Sequence, residues 1–182
     1  MENEISERSF TPLTSEHLAR LSDLAAADRE RFYAKQPDFR GWHIATVLAQ
    51  GAALHWINCT NGVKDFDVWS FFALPPGFQR FPADIRTSRA DFGPSVLGRQ
   101  KYDAGRARCD GQRRLYEKWS AYRGRRVDLF LRALTVPRDA DPVLAIRAWL
   151  RNGSKRSSPW WLSQKAVVLI DPAQQRGDQV WP

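Results

Sequence analysis

Two aspartates, Asp65 and Asp67, interrupt the apolar run GVKDFDVWSFFA from Gly62 to Ala73, and a third, Asp128, stands inside VDLFL between Val127 and Leu129. Carboxylates are rarely fully buried unless they are paired or bind a metal. Residues two apart in a strand share a face, so Asp65 and Asp67 point one way while Phe66 and Val68 point into the core. If the strand carrying Asp128 lies beside the first, three carboxylates converge. Alone, they repel and raise one another's pKa values. A hard divalent cation such as Mg²⁺ neutralises them and keeps open positions for substrate phosphates. Two metals held in this way serve in-line displacement at phosphorus. Asp65, Asp67 and Asp128 are therefore the candidate catalytic and metal-binding residues. The competing reading is ion pairing at strand entrances, Asp65 with Lys64 or an arginine and Asp128 with Arg125 or Arg126.

Phosphate would need its own partners. VLAQGAALHWI combines an apolar strand, Gly51 and a helix start. A glycine at such a junction lets backbone N–H groups approach an anion. Gly51 and Ala52 are thus candidate nucleotide-binding residues, and Lys165 is a cation with the reach to touch a triphosphate. Arg86, Arg89, Arg99 and Lys101, around the loop TSRADFGPSVLGRQK, form a candidate substrate-facing rim. His55 reads as a packed or exposed helix residue. It lies four residues before Cys59, and one such pair does not make a zinc site.

The elements that must position these groups follow from periodicity and punctuation. Residues 1–13 read as a loose tail and 14–182 as one domain. TSEHLARLSDLAAADRERFYAK has apolar positions at helical spacing behind a Thr14 or Ser15 cap. HIATVLAQ is a β-branched, apolar strand, and AALHWIN a short helix. Asn61-Gly62 marks a turn before the strand DFDVWSFFAL. Residues 77–123 are expected to form basic loops with one short helix near 112–122. GRRVDLFLRAL is a strand, and DPVLAIRAWLRNG a helix with Asp141 at its N-cap and Pro142 at its first position. SSPWWLSQKAVVLI reads as a last helix whose tail, KAVVLI, is alternatively a strand. This order predicts a small α/β or α+β domain, a mixed β-sheet flanked by helices.

Gly51-Ala52-Ala53-Leu54, Asp65-Phe66-Asp67-Val68 and Val127-Asp128-Leu129 together resemble the polymerase-β-like nucleotidyltransferase superfamily, in the form of its small bacterial and toxin-type members. The resemblance covers roughly residues 42–134. It implies a nucleotidyltransferase-like fold, NTP as substrate and Mg²⁺ as cofactor. By the same resemblance Asp65 and Asp67 bind metal and nucleotide phosphates, Asp128 completes the second metal site and helps activate the attacking hydroxyl, and Gly51 faces the phosphates. The family usually carries Gly-Ser or Gly-Gly at the turn; here Gln50-Gly51-Ala52 offers no hydroxyl. The implied activity is transfer of a nucleoside monophosphate to a hydroxyl of RNA, protein or a small molecule. The alternative is a non-catalytic nucleic-acid-binding module on a degenerate form of that fold.

The formal net charge of +8 favours a polyanionic partner such as RNA. Eight tryptophans argue against disorder. Two cysteines make no disulfide framework. The polar, acidic start MENEISERSF is not a signal peptide, and no run approaches the ~20 apolar residues of a membrane span, so a cytoplasmic location is expected.

Overall fold

The computed structural model describes residues 4–82 and 87–182. Helix α1 (Ser15–Lys35) starts at a Thr14 cap: the Thr14 hydroxyl accepts from the His17 N–H at 3.4 Å, and the His17 ring accepts from the Thr14 N–H at 3.0 Å. Histidine thus takes the place usually held by Glu or Gln in a capping box. Leu18, Leu21, Ala25 and Phe32 form the buried stripe of this helix.

Strands β2 (His43–Ala49), β3 (Phe66–Ala73), β4 (Thr87–Asp91), β6 (Arg126–Leu134), β7 (Ala166–Asp171) and β8 (Gln179–Trp181) form one sheet in the order β4-β6-β3-β2-β7-β8. Within it β3 and β6 run parallel, and the other neighbours antiparallel. β1 (Ile5–Ser6) and β5 (Arg99–Gln100) pair in a separate parallel ribbon. The remaining helices are α2 (Gln50–Asn58), α3 (Asp110–Ser120), α4 (Pro142–Arg151) and α5 (Ser158–Leu162). The architecture is mixed α+β. β2 and β3 are apolar on both sides because both sides are covered. Leu48, Val68, Leu129 and Val168 pack against α1 and α2, while Val47, Trp69, Phe71 and Leu169 pack against α4 and α5. Phe66 and Val68 are fully buried, on the face opposite Asp67. Among the described residues no helix is long and apolar enough to cross a membrane.

Several segments depart from the sequence reading. Residues 5–13 are not loose: Ile5 and Ser6 pair with Arg99 and Gln100, Ser9 bridges Val63, and Leu13 is buried. These contacts join positions far apart in the chain, so no local pattern announces them. The expected last helix ends at Leu162, and Ala166–Asp171 is a strand instead, as the alternative reading had it. Its AVVLI run fills the interior position beside β2, with Val168 opposite Leu48. β4, inside the expected loops, has no apolar alternation because it is a polar edge strand.

Candidate active site

The sheet register builds the acidic cluster. Asp67 and Asp128 are direct partners across the parallel pair β3 and β6, and Arg89 on β4 lies opposite Asp128 on its other side. Asp67 also pairs with Ala49, the last residue of β2, so the acids stand beside the turn into α2. The cluster therefore occupies the N-terminal ends of the two parallel strands, whereas doubly wound α/β sheets place ligands at the carboxyl ends.

Two guanidiniums share two of the three carboxylates. Arg126, two residues before Asp128 on the same face, reaches Asp65 Oδ2 at 2.7 Å and Asp128 Oδ2 at 3.0 Å through Nη2. Its Nε donates to Asp128 Oδ2 at 3.1 Å. Arg89 Nε lies 3.1 Å from Asp128 Oδ1, but Oδ1 is buried and accepts no hydrogen bond there, so this contact is ionic without alignment. The indole of Trp119, from α3, lies under both cations, 4.4 Å from the Arg126 guanidinium carbon and 5.3 Å from that of Arg89. Burial pulls the Arg126 pKa down, but Asp128 and Asp65 together outweigh it and hold it above the ordinary value. For Asp128 burial wins over both arginines, and its carboxyl is pushed up.

Asp67 differs from its neighbours. Among the described residues no hydrogen bond or ion pair engages its carboxylate. Burial first, then the charges of Asp65 and Asp128, push it up to about 7, against the opposing pull of Arg126 and Lys165. It faces a cavity of about 220 Å³ that also takes in Gln50, Gly51 and Ala52 at the start of α2, together with Asp65. Arg8, Lys64 and Lys165 supply positive charge to the same space. Gln50 is held in the left-handed region at φ 62° and donates from its amide to the Trp161 carbonyl at 2.6 Å. Gly51 has an ordinary φ; a Cβ there would lie 3.2 Å from the Asn61 amide nitrogen, a tight contact with the group that donates to the Gly51 carbonyl at 2.9 Å.

Of the expected rim, only part belongs to this cluster. Arg89 is inside it, paired to Asp128. Arg99 turns away and donates to the Tyr122 and Ser120 carbonyls, closing the end of α3. Lys101 lines a neighbouring cavity. Arg86 falls outside the described residues. His55 is packed: fully buried, it accepts from the Gly62 N–H and contacts the Thr11 carbonyl. Sequence reasoning named Arg126 only as one possible partner of Asp128; it missed that the same guanidinium also holds Asp65, and it missed the platform of Trp119. The Arg-x-Asp spacing of Arg126 and Asp128, two apart on one strand, was the available signal for the first. The neighbouring Arg125 points to the opposite face. Fully buried, it donates to the carbonyls of Leu97, Lys64 and Glu7 and to the Ser6 hydroxyl. Burial lowers its pKa to about 10, still a cation at neutral pH.

The oxygen donors of three aspartates suit Mg²⁺, and Asp128 Oδ1 accepts no hydrogen bond, with only the ionic contact of Arg89 beside it. As they stand, however, no three acidic, histidine or cysteine side chains among the described residues are grouped to hold an ion. Arg126, the chain's own cation, fills the place between Asp65 and Asp128. The donor atoms are of the kind Mg²⁺ takes, but in this arrangement guanidiniums answer Asp65 and Asp128. No protein-family model, no curated protein and no solved structure matches this chain.

Proposed function

We propose that this chain transfers a nucleoside monophosphate from a nucleoside triphosphate to a hydroxyl acceptor. The observation that carries the reading is the meeting of Asp65, Asp67 and Asp128 beside a cavity that also contains the Gly51 turn and Lys165. In the reaction the acceptor oxygen attacks the α-phosphorus. The bond to the bridging oxygen of the β-phosphate breaks, and pyrophosphate leaves with the electron pair. The hydroxyl proton passes to a carboxylate, and Asp67, which no guanidinium among the described residues engages, is the one open to receive it. The N-terminus of α2 with Lys64, Lys165 and Arg8 draws the triphosphate. Mg²⁺, when held by Asp65, Asp67 and Asp128, would neutralise charge on the phosphates. The net charge of the chain favours RNA or another polyanion as acceptor. Arg126 has to release Asp65 and Asp128 before they can serve.

The test is incubation with Mg²⁺, labelled NTPs and total RNA, protein or small-molecule acceptors. Label transfer that vanishes with Asp67→Asn supports the reading. No transfer to any acceptor, with nucleotide binding indifferent to Asp67→Asn, sinks it.

A second reading has an observation of its own: Arg126 and Arg89 already answer two of the three acids. It makes the chain a non-catalytic nucleic-acid-binding module on a nucleotidyltransferase-like fold. RNA or DNA binding would then fall steeply with salt and survive loss of all three aspartates. Metal-dependent nucleotide binding lost in Asp67→Asn counts against it.

A further inference from the structure

Arg126 belongs to two spaces. It grips Asp65 and Asp128, and it also forms a wall of a second cavity of about 280 Å³ that shares Lys64 with the first but not Gly51. This volume falls just below the roughly 300–1,000 Å³ of drug-sized ligand sites, a size for a small ligand. Two half-buried rings line it, Tyr102 and Tyr116, 5.9 Å apart and each next to Trp119. The Tyr102 hydroxyl donates to Gln100 Oε1 at 2.6 Å, which fixes that ring in orientation. Lys64, Lys101, Arg106 and Arg126 bring four cations against the two acids Glu7 and Asp103. One of those acids is engaged, since Asp103 pairs with Arg106 at 3.3 Å.

Aromatic faces beside clustered cations recognise a base and its phosphate together: the ring stacks, and the cations meet the anion. We propose that this cavity binds a single nucleotide unit bearing a phosphate, its base against Tyr102 and Tyr116 and its phosphate on Lys101, Arg106 and Lys64. On the nucleotidyl-transfer reading, on which this use of the cavity rests, the unit is the end of the acceptor. Its phosphate also competes with Asp65 and Asp128 for Arg126, so filling the second cavity loosens the grip on Asp65, which lines the first, and on Asp128 beside it.

The shared chemistry is a nucleoside monophosphate, which free nucleotide or an RNA end can supply. The probes are AMP, adenosine, inorganic phosphate, and short adenylate oligonucleotides with and without a 5′-phosphate, titrated into the full chain with EDTA present and followed by calorimetry. AMP is expected to bind more tightly than adenosine or phosphate alone. The double variant Lys101→Ala/Arg106→Ala, at two exposed positions, should weaken AMP by about tenfold or more. A 5′-phosphorylated oligonucleotide tighter than AMP assigns the site to an RNA end; equal affinity assigns it to free nucleotide. No AMP binding at about 1 mM, or binding indifferent to the double variant, overturns the proposal. If AMP binds as expected but no label transfer is found with any acceptor, the nucleotidyl-transfer reading fails while the site stands. If label transfer is found and AMP binding is not, the site fails alone.

Discussion

Asp67 and Asp128 face each other across the one parallel pair in the large sheet, and the guanidinium beside them comes from Arg126, two residues before Asp128 on the same strand. Strand register therefore sets Asp67, Asp128 and Arg126, while Asp65 stands one residue ahead of β3. Its charge balance is local: Asp65 and Asp128 share one arginine, Asp128 has a second, and Asp67 has none among the described residues.

Arg126→Gln removes the cation and leaves two largely buried carboxylates facing Asp67. Stripping one partner from such pairs costs about 2–3 kcal/mol here, below the fully buried limit because water reaches the cavity. Urea unfolding in EDTA should show that loss. Added Mg²⁺ should recover part of it in the variant and do little for the wild type. An equal Mg²⁺ response in both proteins would mean that Arg126 does not occupy the cation position.

His43 gives the stability a pH dependence. Burial, then the charge of Arg29, lowers its pKa to about 3, so the folded ring stays neutral where an unfolded histidine, near 6.5, takes up a proton. The unfolded state binds more protons between these values, and stability falls as pH drops from about 6.5 toward 3, by up to ~1.4 kcal/mol per pH unit. His43→Gln should flatten that part of the profile and leave stability near pH 8 much less affected. Parallel profiles for the two proteins would contradict a buried neutral ring.

Arg125→Met should destabilise by about 3 kcal/mol, since it strands buried carbonyls of Leu97 and Lys64 without their donor. The N-terminal segment depends on the same side chain through Ser6 and Glu7. Hydrogen exchange should therefore accelerate around residues 5–9 more than in α4. Uniform acceleration would show that Arg125 does not act on that segment in particular.

Gly124→Ala tests a backbone crossing. A Cβ there would sit 2.0 Å from the Gly93 carbonyl oxygen, and backbone cannot yield as a flexible side chain does. A loss of about 2–4 kcal/mol in denaturant midpoint experiments is expected. Gly77→Ala meets nothing within 4 Å but sits at φ 87°, so it isolates the cost of conformation alone. Equal losses for the two variants would show that the crossing is looser than described.

Much of this was written in periodicity. The stripe of α1, the buried runs of β2 and β3 and the Asp141–Pro142 start of α4 follow from spacing and capping. Alternation along β3 placed Phe66 and Val68 inward correctly. Of the two rival readings of these acids, the ion pairing of Asp128 with Arg126 is present in the fold, while the three aspartates lie near one another without being grouped to hold an ion among the described residues. What stayed hidden depends on partners far along the chain: the polar edge strand β4 that brings Arg89 to Asp128, the anchoring of Ser6 by Arg125, and the approach of Trp119 to two arginines.

The adjacent arginines at the entrance of β6 have opposite destinations, one sealed among backbone carbonyls and the other set on acids. Were the strand to slip by one position, Arg126 would enter the sealed space, Asp128 would turn onto the oily side of the sheet, and Leu129 would face the carboxylate of Asp67. Each misplacement is severe by itself, and all three happen together. The tetrapeptide Arg125-Arg126-Val127-Asp128 thus acts as a proofreader of strand alignment, rejecting every off-by-one arrangement before any chemistry is asked of it.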